Sequence, residues 1–195
     1  MSNSDYSDQK TNIGTKPHAL HEGEIEAQRR FGVEGQWSEF SLSAMFSATI
    51  SKGLAGYIEE LPFFFISTAN NQGECDCSFR GREFDISGNP YLLLKVIDAT
   101  TLVFPDYHGN NLFNSLGNIF VNPHIGMLFV DFERRARVRI NGAAEIIEDA
   151  SMYANIWPLA QRYLRVTPSQ VYGNCKARIP KMVLVPPSDS FFQDE

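Results

Sequence analysis

The sequence predicts a mainly β domain, an antiparallel barrel with peripheral helices. Two observations point there. From residue 63 onward, short apolar runs alternate with turns rich in Gly, Asn, Asp and Pro, the pattern of consecutive hairpins. No strand leads into a Gly-rich phosphate loop and a long helix, which excludes the doubly wound nucleotide-binding folds. Roughly six or seven strands and two or three helices account for the patterned residues.

Residues 1 to about 18 are polar, with few apolar anchors, and are expected to form a disordered tail. Residues 19–61 are expected to form a helical extension. His21 to Phe31 is rich in Glu, Gln and Arg, and Ala44 to Leu61 carries Met45, Ile50, Leu54, Tyr57, Ile58 and Leu61 near helical spacing, closed by Pro62.

Beyond Pro62 the period changes. Phe63 to Ala69 is a short strand and Asn70-Asn71-Gln72-Gly73 a hairpin turn. The return strand alternates: Glu74, Asp76, Ser78 and Arg80 take one face, and Cys75, Cys77 and Phe79 the other. Gly81 to Pro90 is a polar loop, Tyr91 to Ile97 a third strand, and Thr101 to Phe104 a fourth. Asn111 to Val121 reads as a helix, with Asn110 as its N-cap and Asn122-Pro123 as its stop. Ile125 to Phe132 and Ala136 to Ile147 are strands. Ser151 to Leu164 is expected to be helical, kinked or split at Pro158, with final strands at Gln170 to Tyr172 and Lys181 to Val185. The β domain then covers 62–187, and 188–195 is a polar tail.

Composition bounds the function. A chain of 195 residues buries about 70% of its unfolded surface, so one domain with an appendage is expected. Seventeen basic and 23 acidic residues give a net charge of −6, which argues against nucleic-acid or anionic-membrane partners. Three cysteines are too few for a disulfide scaffold, and no second cysteine pair completes a zinc site of the usual spacing. Neither a signal peptide nor an apolar run approaching the roughly 20 residues of a membrane helix is evident, so a cytoplasmic location is expected.

Four features could carry chemistry. The loop and helix start at Pro105 to Ser115 offer backbone N–H groups with Asn110, Asn111, Asn114 and Ser115 beside them: a phosphate site, or a plain capped helix. Ser78 and Arg80 point the same way along one strand and form either an oxyanion pair or part of a solvated face. Arg137 and Arg139 share a face and call for a nearby negative charge, from Glu133, from Glu145 or from a bound anion. Cys75 and Cys77, on the apolar face, are expected to be buried and inert.

Taken in order, the segments Asp76-Cys77-Ser78-Phe79-Arg80-Gly81, Leu92 to Asp98, Thr101 to Asn110, Leu116-Gly117-Asn118-Ile119, Asn122-Pro123, Arg137 to Gly142 and Asn174 to Arg178 resemble the pyridoxamine 5′-phosphate oxidase-like family of FMN-binding split barrels. The resemblance covers about two thirds of the chain, with the Ser-x-Arg-Gly and Pro-Asp-x-x-Gly-Asn pattern of an uncharacterised bacterial branch. It implies an antiparallel split β-barrel, a homodimer with FMN in clefts at the interface, and an FMN-dependent oxidoreductase acting on a small molecule. The alternatives are a non-catalytic flavin-binding or sensing protein and a split barrel that binds haem or another cofactor.

Carried over by position, the resemblance places Ser78 and Arg80 at the phosphate or ribityl chain and Leu94 and Lys95 beside the ring. Pro105 and Asp106 would flank that ring, and Asn110, Asn111 and Ser115 would line the phosphate end. Arg137 would lie near the flavin, and Lys176 and Arg178 would complete the pocket from the partner chain. Two features depart from the family's true oxidases. Asn111-Leu112 stands where they carry two basic residues, and their C-terminal Trp and Arg-x-His-Asp-Arg substrate motif is missing. Pyridoxamine phosphate is therefore not the expected substrate.

Overall fold

The structure, a computed structural model, describes residues 20–185. The tails expected at 1–18 and 188–195 lie outside the described residues. Two compact units divide the chain between Phe46 and Ser47.

The first unit holds α1 (Glu22–Arg30) and α2 (Glu39–Met45). A capping box starts α1: the His21 side chain accepts from Gly23 N, and Glu24 accepts from His21 N at 2.9 Å. Glu22 and Glu24 in the first turn and Arg29 and Arg30 in the last suit the helix dipole. Ser38 caps α2.

The single helix expected over Ala44 to Leu61 is two helices. After α2 the backbone turns extended at Phe46, and Ser47 pairs with Val171 as an isolated bridge. Ser51 then accepts from Leu54 N to start α3 (Lys52–Glu60). Serine and threonine hydroxyls compete for backbone groups here: Thr49 N donates to Ser47 Oγ at 3.0 Å.

The second unit is the expected mainly β domain. Its strands are β1 (Phe63–Ala69), β2 (Cys75–Gly81), β3 (Lys95–Asp98), β4 (Thr101–Asp106), β5 (His124–Asp131), β6 (Ala136–Ile147) and β7 (Arg162–Gly173), with α4 (Asn114–Val121) between β4 and β5. They form one seven-stranded antiparallel sheet in the order β2-β1-β5-β6-β7-β4-β3. The inner face buries Phe64, Ile66, Phe104, Phe129, Ile140 and Leu164, and α3 adds Ile58. Arg82 fixes α3 to this frame, its Nη2 donating to the carbonyls of Glu59 at 3.0 Å and Leu61 at 2.8 Å.

Three expectations fail in this unit. Ser151 to Leu164 is not a helix; turns lead straight into the long β7. Tyr153, Ile156, Trp157 and Ala160 sit near helical spacing, yet they pack with Val103, Ile147 and Tyr163 as a second small core. Lys181 to Val185 pairs with no strand. Cys75 and Cys77 are exposed rather than buried. The register explains this last point. Arg80, Ser78 and Asp76 lie opposite Phe64, Ile66 and Thr68 of β1, so the polar face of β2 is the one turned inward.

The outer face is set by the same pairings. Phe65 lies opposite Phe79 on β2 and Leu128 on β5, Leu128 opposite Arg139 on β6, and Arg139 opposite Tyr172 on β7. Phe63 stacks on Phe79 with centroids 5.2 Å apart, although Phe79 is 59% exposed.

Gly142 sits at the irregularity in the β6–β7 pairing, where an added Cβ would collide with the Thr167 carbonyl oxygen and Pro168 Cα. Both obstacles are backbone and cannot swing aside. Gly142→Ala should lower stability by about 1–3 kcal/mol in urea unfolding, the usual cost of overpacking.

Candidate functional site

The sheet leaves β2 and β3 as unpaired edges. An ion pair joins edge strand β2 to β4, the neighbour of β3: Arg80 Nη1 donates to Asp106 Oδ1 at the end of β4, at 3.0 Å. Arg162 opens β7 directly opposite Asp106, with its Nε 3.6 Å from Asp106 Oδ2. Asp106 is only 6% exposed, so burial strengthens both attractions.

Beside this pair lies a polar cleft of about 380 Å³, walled by Asp76, Ser78, Arg80, Asp106, Gln161 and the loop from Gly109 to Ser115. Arg80, Tyr107 and Gly109 also border a second lobe of about 340 Å³, whose apolar wall is Phe64, Leu93, Phe104 and Pro105.

The loop has an unusual backbone. Asn111 and Phe113 both adopt left-handed conformations, with φ of 60° and 56°. A bulky residue there is an outlier that surrounding contacts must hold, at roughly 1–3 kcal/mol. The Arg162 guanidinium lies 5.0 Å from the Phe113 ring centroid and supplies one such contact. Phe113 is the N-cap of α4 and offers no side-chain acceptor. The first-turn N–H groups of Asn114, Ser115 and Leu116 therefore have no intrahelical partner and, among the described residues, no side-chain cap, and these residues line the cleft.

Six of the residues expected at the site meet in the first lobe: Ser78, Arg80, Asp106, Asn110, Asn111 and Ser115. Pro105 walls the second lobe. The other five do not join them. Leu94 is fully buried in the core. Lys95 pairs with Glu59 at 3.3 Å, and Glu59 also accepts from Val96 N. Arg137 and Arg139 project from the sheet face opposite to the one that carries Arg80. Lys176 and Arg178 follow β7 as exposed residues and line neither lobe.

Three roles also differ. Asn110 is not the N-cap of α4; its Oδ1 accepts from Leu112 N at 3.1 Å and builds the turn ahead of the helix. Ser115 commits its hydroxyl proton to Asp76 Oδ2 at 2.7 Å, so its backbone N–H is what it offers a ligand. Asp106 is taken up by two arginines.

Sequence reasoning missed Asp76, Tyr107, Phe113, Gln161 and Arg162 as site residues. Asp76 was reachable by period two from Ser78 and Arg80. Arg162 was hidden because its segment was read as helix. Burial first, then Glu83 and the neighbouring tyrosines, hold the Tyr107 phenol well above its ordinary pKa, so at neutral pH it is a neutral hydroxyl rather than a base.

Among the described residues, no cluster of three or more His, Cys, Asp or Glu is placed to hold a metal, and no helix is long and apolar enough to cross a membrane.

The model of a family described as pyridoxamine 5′-phosphate oxidase matches residues 50–179. No curated protein matches the chain. A solved structure from Lactobacillus delbrueckii, described as a candidate pyridoxamine 5′-phosphate oxidase, is 13% identical; it aligns over 66% of this chain and 98% of its own with a TM-score of 0.51. The FAD-binding protein of Mycobacterium smegmatis is 16% identical over 65% of this chain and 95% of its own, with a TM-score of 0.42. HutZ, the haem storage protein of Vibrio cholerae, is 14% identical over 61% and 89%, with a TM-score of 0.39. At such identities the likeness is one of fold, and the first of these structures identifies the open sheet as a split barrel.

Proposed function

The chain belongs to the pyridoxamine 5′-phosphate oxidase family, and from that premise we propose that it is a flavoprotein holding flavin mononucleotide in the Arg80 cleft for an oxidoreduction. One observation carries the reading. Arg80 Nε is buried and has no acceptor among the described residues, beside a cleft walled by the uncapped first turn of α4. A buried donor without an acceptor is costly, and a helix N-terminus favours an anion. A phosphate monoester answers both.

Charge balance is consistent with a single phosphate. Arg80 and Arg162 are offset by Asp76 and Asp106, so the cleft carries no large surplus of either sign. Affinity then rests on directed donors: the free edge of Arg80 and the N–H groups of Asn114, Ser115 and Leu116. This accounts for Asn111-Leu112 standing where the oxidases are basic. The apolar wall of Phe64, Leu93, Phe104 and Pro105 suits a flat ring. Both lobes have volumes typical of small-molecule sites. Bound flavin would supply the hydride or electron transfer that no side chain here can. The substrate would be a small molecule.

The proposal includes a homodimer. The outer sheet face leaves Phe79 exposed beside Phe63 and Phe65 and adds Arg137 and Arg139, an apolar centre with a basic flank. A second copy seated there would cover the aromatic rings and the two exposed cysteines, and could bring Arg137, Lys176 and Arg178 to the partner's cleft.

Protein as isolated should be yellow, release flavin mononucleotide on heating at one per chain, and sediment as a dimer. A preparation that takes up no added flavin, or one with a haem Soret band, would sink the reading. Bound flavin that neither reduced nicotinamide nor light can reduce would favour storage or sensing over catalysis.

A further inference from the structure

Arg80 touches Asp106 through Nη1 alone. On its other edge, formed by Nε and Nη2, the Nε is buried and has no acceptor among the described residues. That edge is the side-on fork with which a guanidinium grips an oxyanion through two parallel hydrogen bonds. Asp106 therefore holds the group from one end, through Nη1, and leaves Nε without an acceptor. Asp106 is in turn held by Arg162, whose guanidinium also lies over the Phe113 ring and donates to Gln161 Oε1 at 2.8 Å. Phe113 is the strained cap at the start of α4. One side chain thus braces both halves of the anion site: the arginine fork through Asp106, and the helix N-terminus through Phe113.

We propose that Arg162 is a positioning residue that sets the selectivity of this cleft for a phosphorylated flavin over the same flavin without phosphate, acting through Asp106 and Phe113. The inference rests on the flavin reading above. Arg162 lies on the far side of Asp106 from Arg80 in this scheme, so its loss should misalign the donors without emptying the lobe walled by Phe64, Leu93 and Phe104.

Titrating flavin mononucleotide and riboflavin by fluorescence quenching tests it. Wild type should prefer the phosphorylated form. Arg162→Gln should weaken flavin mononucleotide about tenfold, the loss of one well-aligned charge-assisted hydrogen bond, and leave riboflavin within about twofold. Asp106→Asn should shift the preference the same way. Arg162→Lys keeps the charge without the flat stacking group and should fall between; it also serves if the Gln variant does not fold. An unchanged preference in the folded variants overturns the inference while leaving the flavin reading intact. A parallel loss of both flavins overturns it too, since that marks a structural residue. If wild type binds neither flavin, the flavin reading itself falls and takes this inference with it.

Discussion

Arg80→Ala should weaken flavin mononucleotide binding by about 100-fold, read as the flavin content of purified protein and as a fluorescence titration. The size follows from the geometry. A bidentate guanidinium–phosphate contact is worth more than a single charge-assisted hydrogen bond, itself about 1.5–3 kcal/mol, or roughly ten- to 100-fold. The same substitution also removes the Arg80–Asp106 contact at 3.0 Å that joins β2 to the end of β4. Asp106 keeps Arg162 at 3.6 Å, so the stability loss should be about 1–3 kcal/mol, less than the cost of a fully stranded buried charge. Arg80→Lys separates the two effects. A lysine can still neutralise Asp106 but has no planar fork, so stability should largely return while flavin affinity stays about tenfold low. Full flavin occupancy in the alanine variant would refute the phosphate role of Arg80.

Much of this site was legible in the sequence, and the physical reason is period two. Once Cys75 to Gly81 is a strand, Asp76, Ser78 and Arg80 must share a face. Which face turns inward was not legible. Alternation divides a strand into two sides without saying which one meets the core, and Cys75, Cys77 and Phe79 look like the buried side by composition. The pairing with β1 settles it: Phe64 and Ile66 are buried, and Arg80 and Ser78 lie opposite them. The same logic puts Arg137 on the face away from the Arg80 cleft of its own chain, since pairing carries face identity from β2 through β1 and β5 to β6. A residue's face is a property of the whole sheet and is set by contacts distant in sequence.

The helical spacing over residues 151–164 misled for a related reason. Periodicity reports where apolar side chains recur, and a compact turn with a bulky anchor can produce the same recurrence. Pro158 was the local warning, as was the β-branched content that begins at Val166. Long-range closure decides the matter here. Gln161 N donates to the Asp106 carbonyl at 3.0 Å, which starts β7 against β4 and sets Arg162 opposite Asp106.

Trp157→Ala should be the most destabilising single change of those considered, about 3–5 kcal/mol in urea unfolding. Trp157 is fully buried, and its Nε1 donates to the Leu92 carbonyl at 2.6 Å. Its ring meets Tyr153 at 6.1 Å and Tyr163 at 5.8 Å between centroids. Truncation therefore removes the largest apolar surface of the second core together with the hydrogen bond to the Leu92 carbonyl. That core is small, with few neighbours able to collapse into the space, so relaxation should recover little of the loss. Trp157→Phe keeps an aromatic ring but not the donor, and should cost about 1–2 kcal/mol, isolating the hydrogen bond from the cavity. The effect should also reach the cleft, because residues 157–161 carry the chain from this core to the start of β7, where Arg162 stands. Partial loss of the preference for phosphorylated flavin in Trp157→Phe would tie the second core to the site. An alanine variant that unfolds at the wild-type urea concentration would show that the turn segment does not anchor β7.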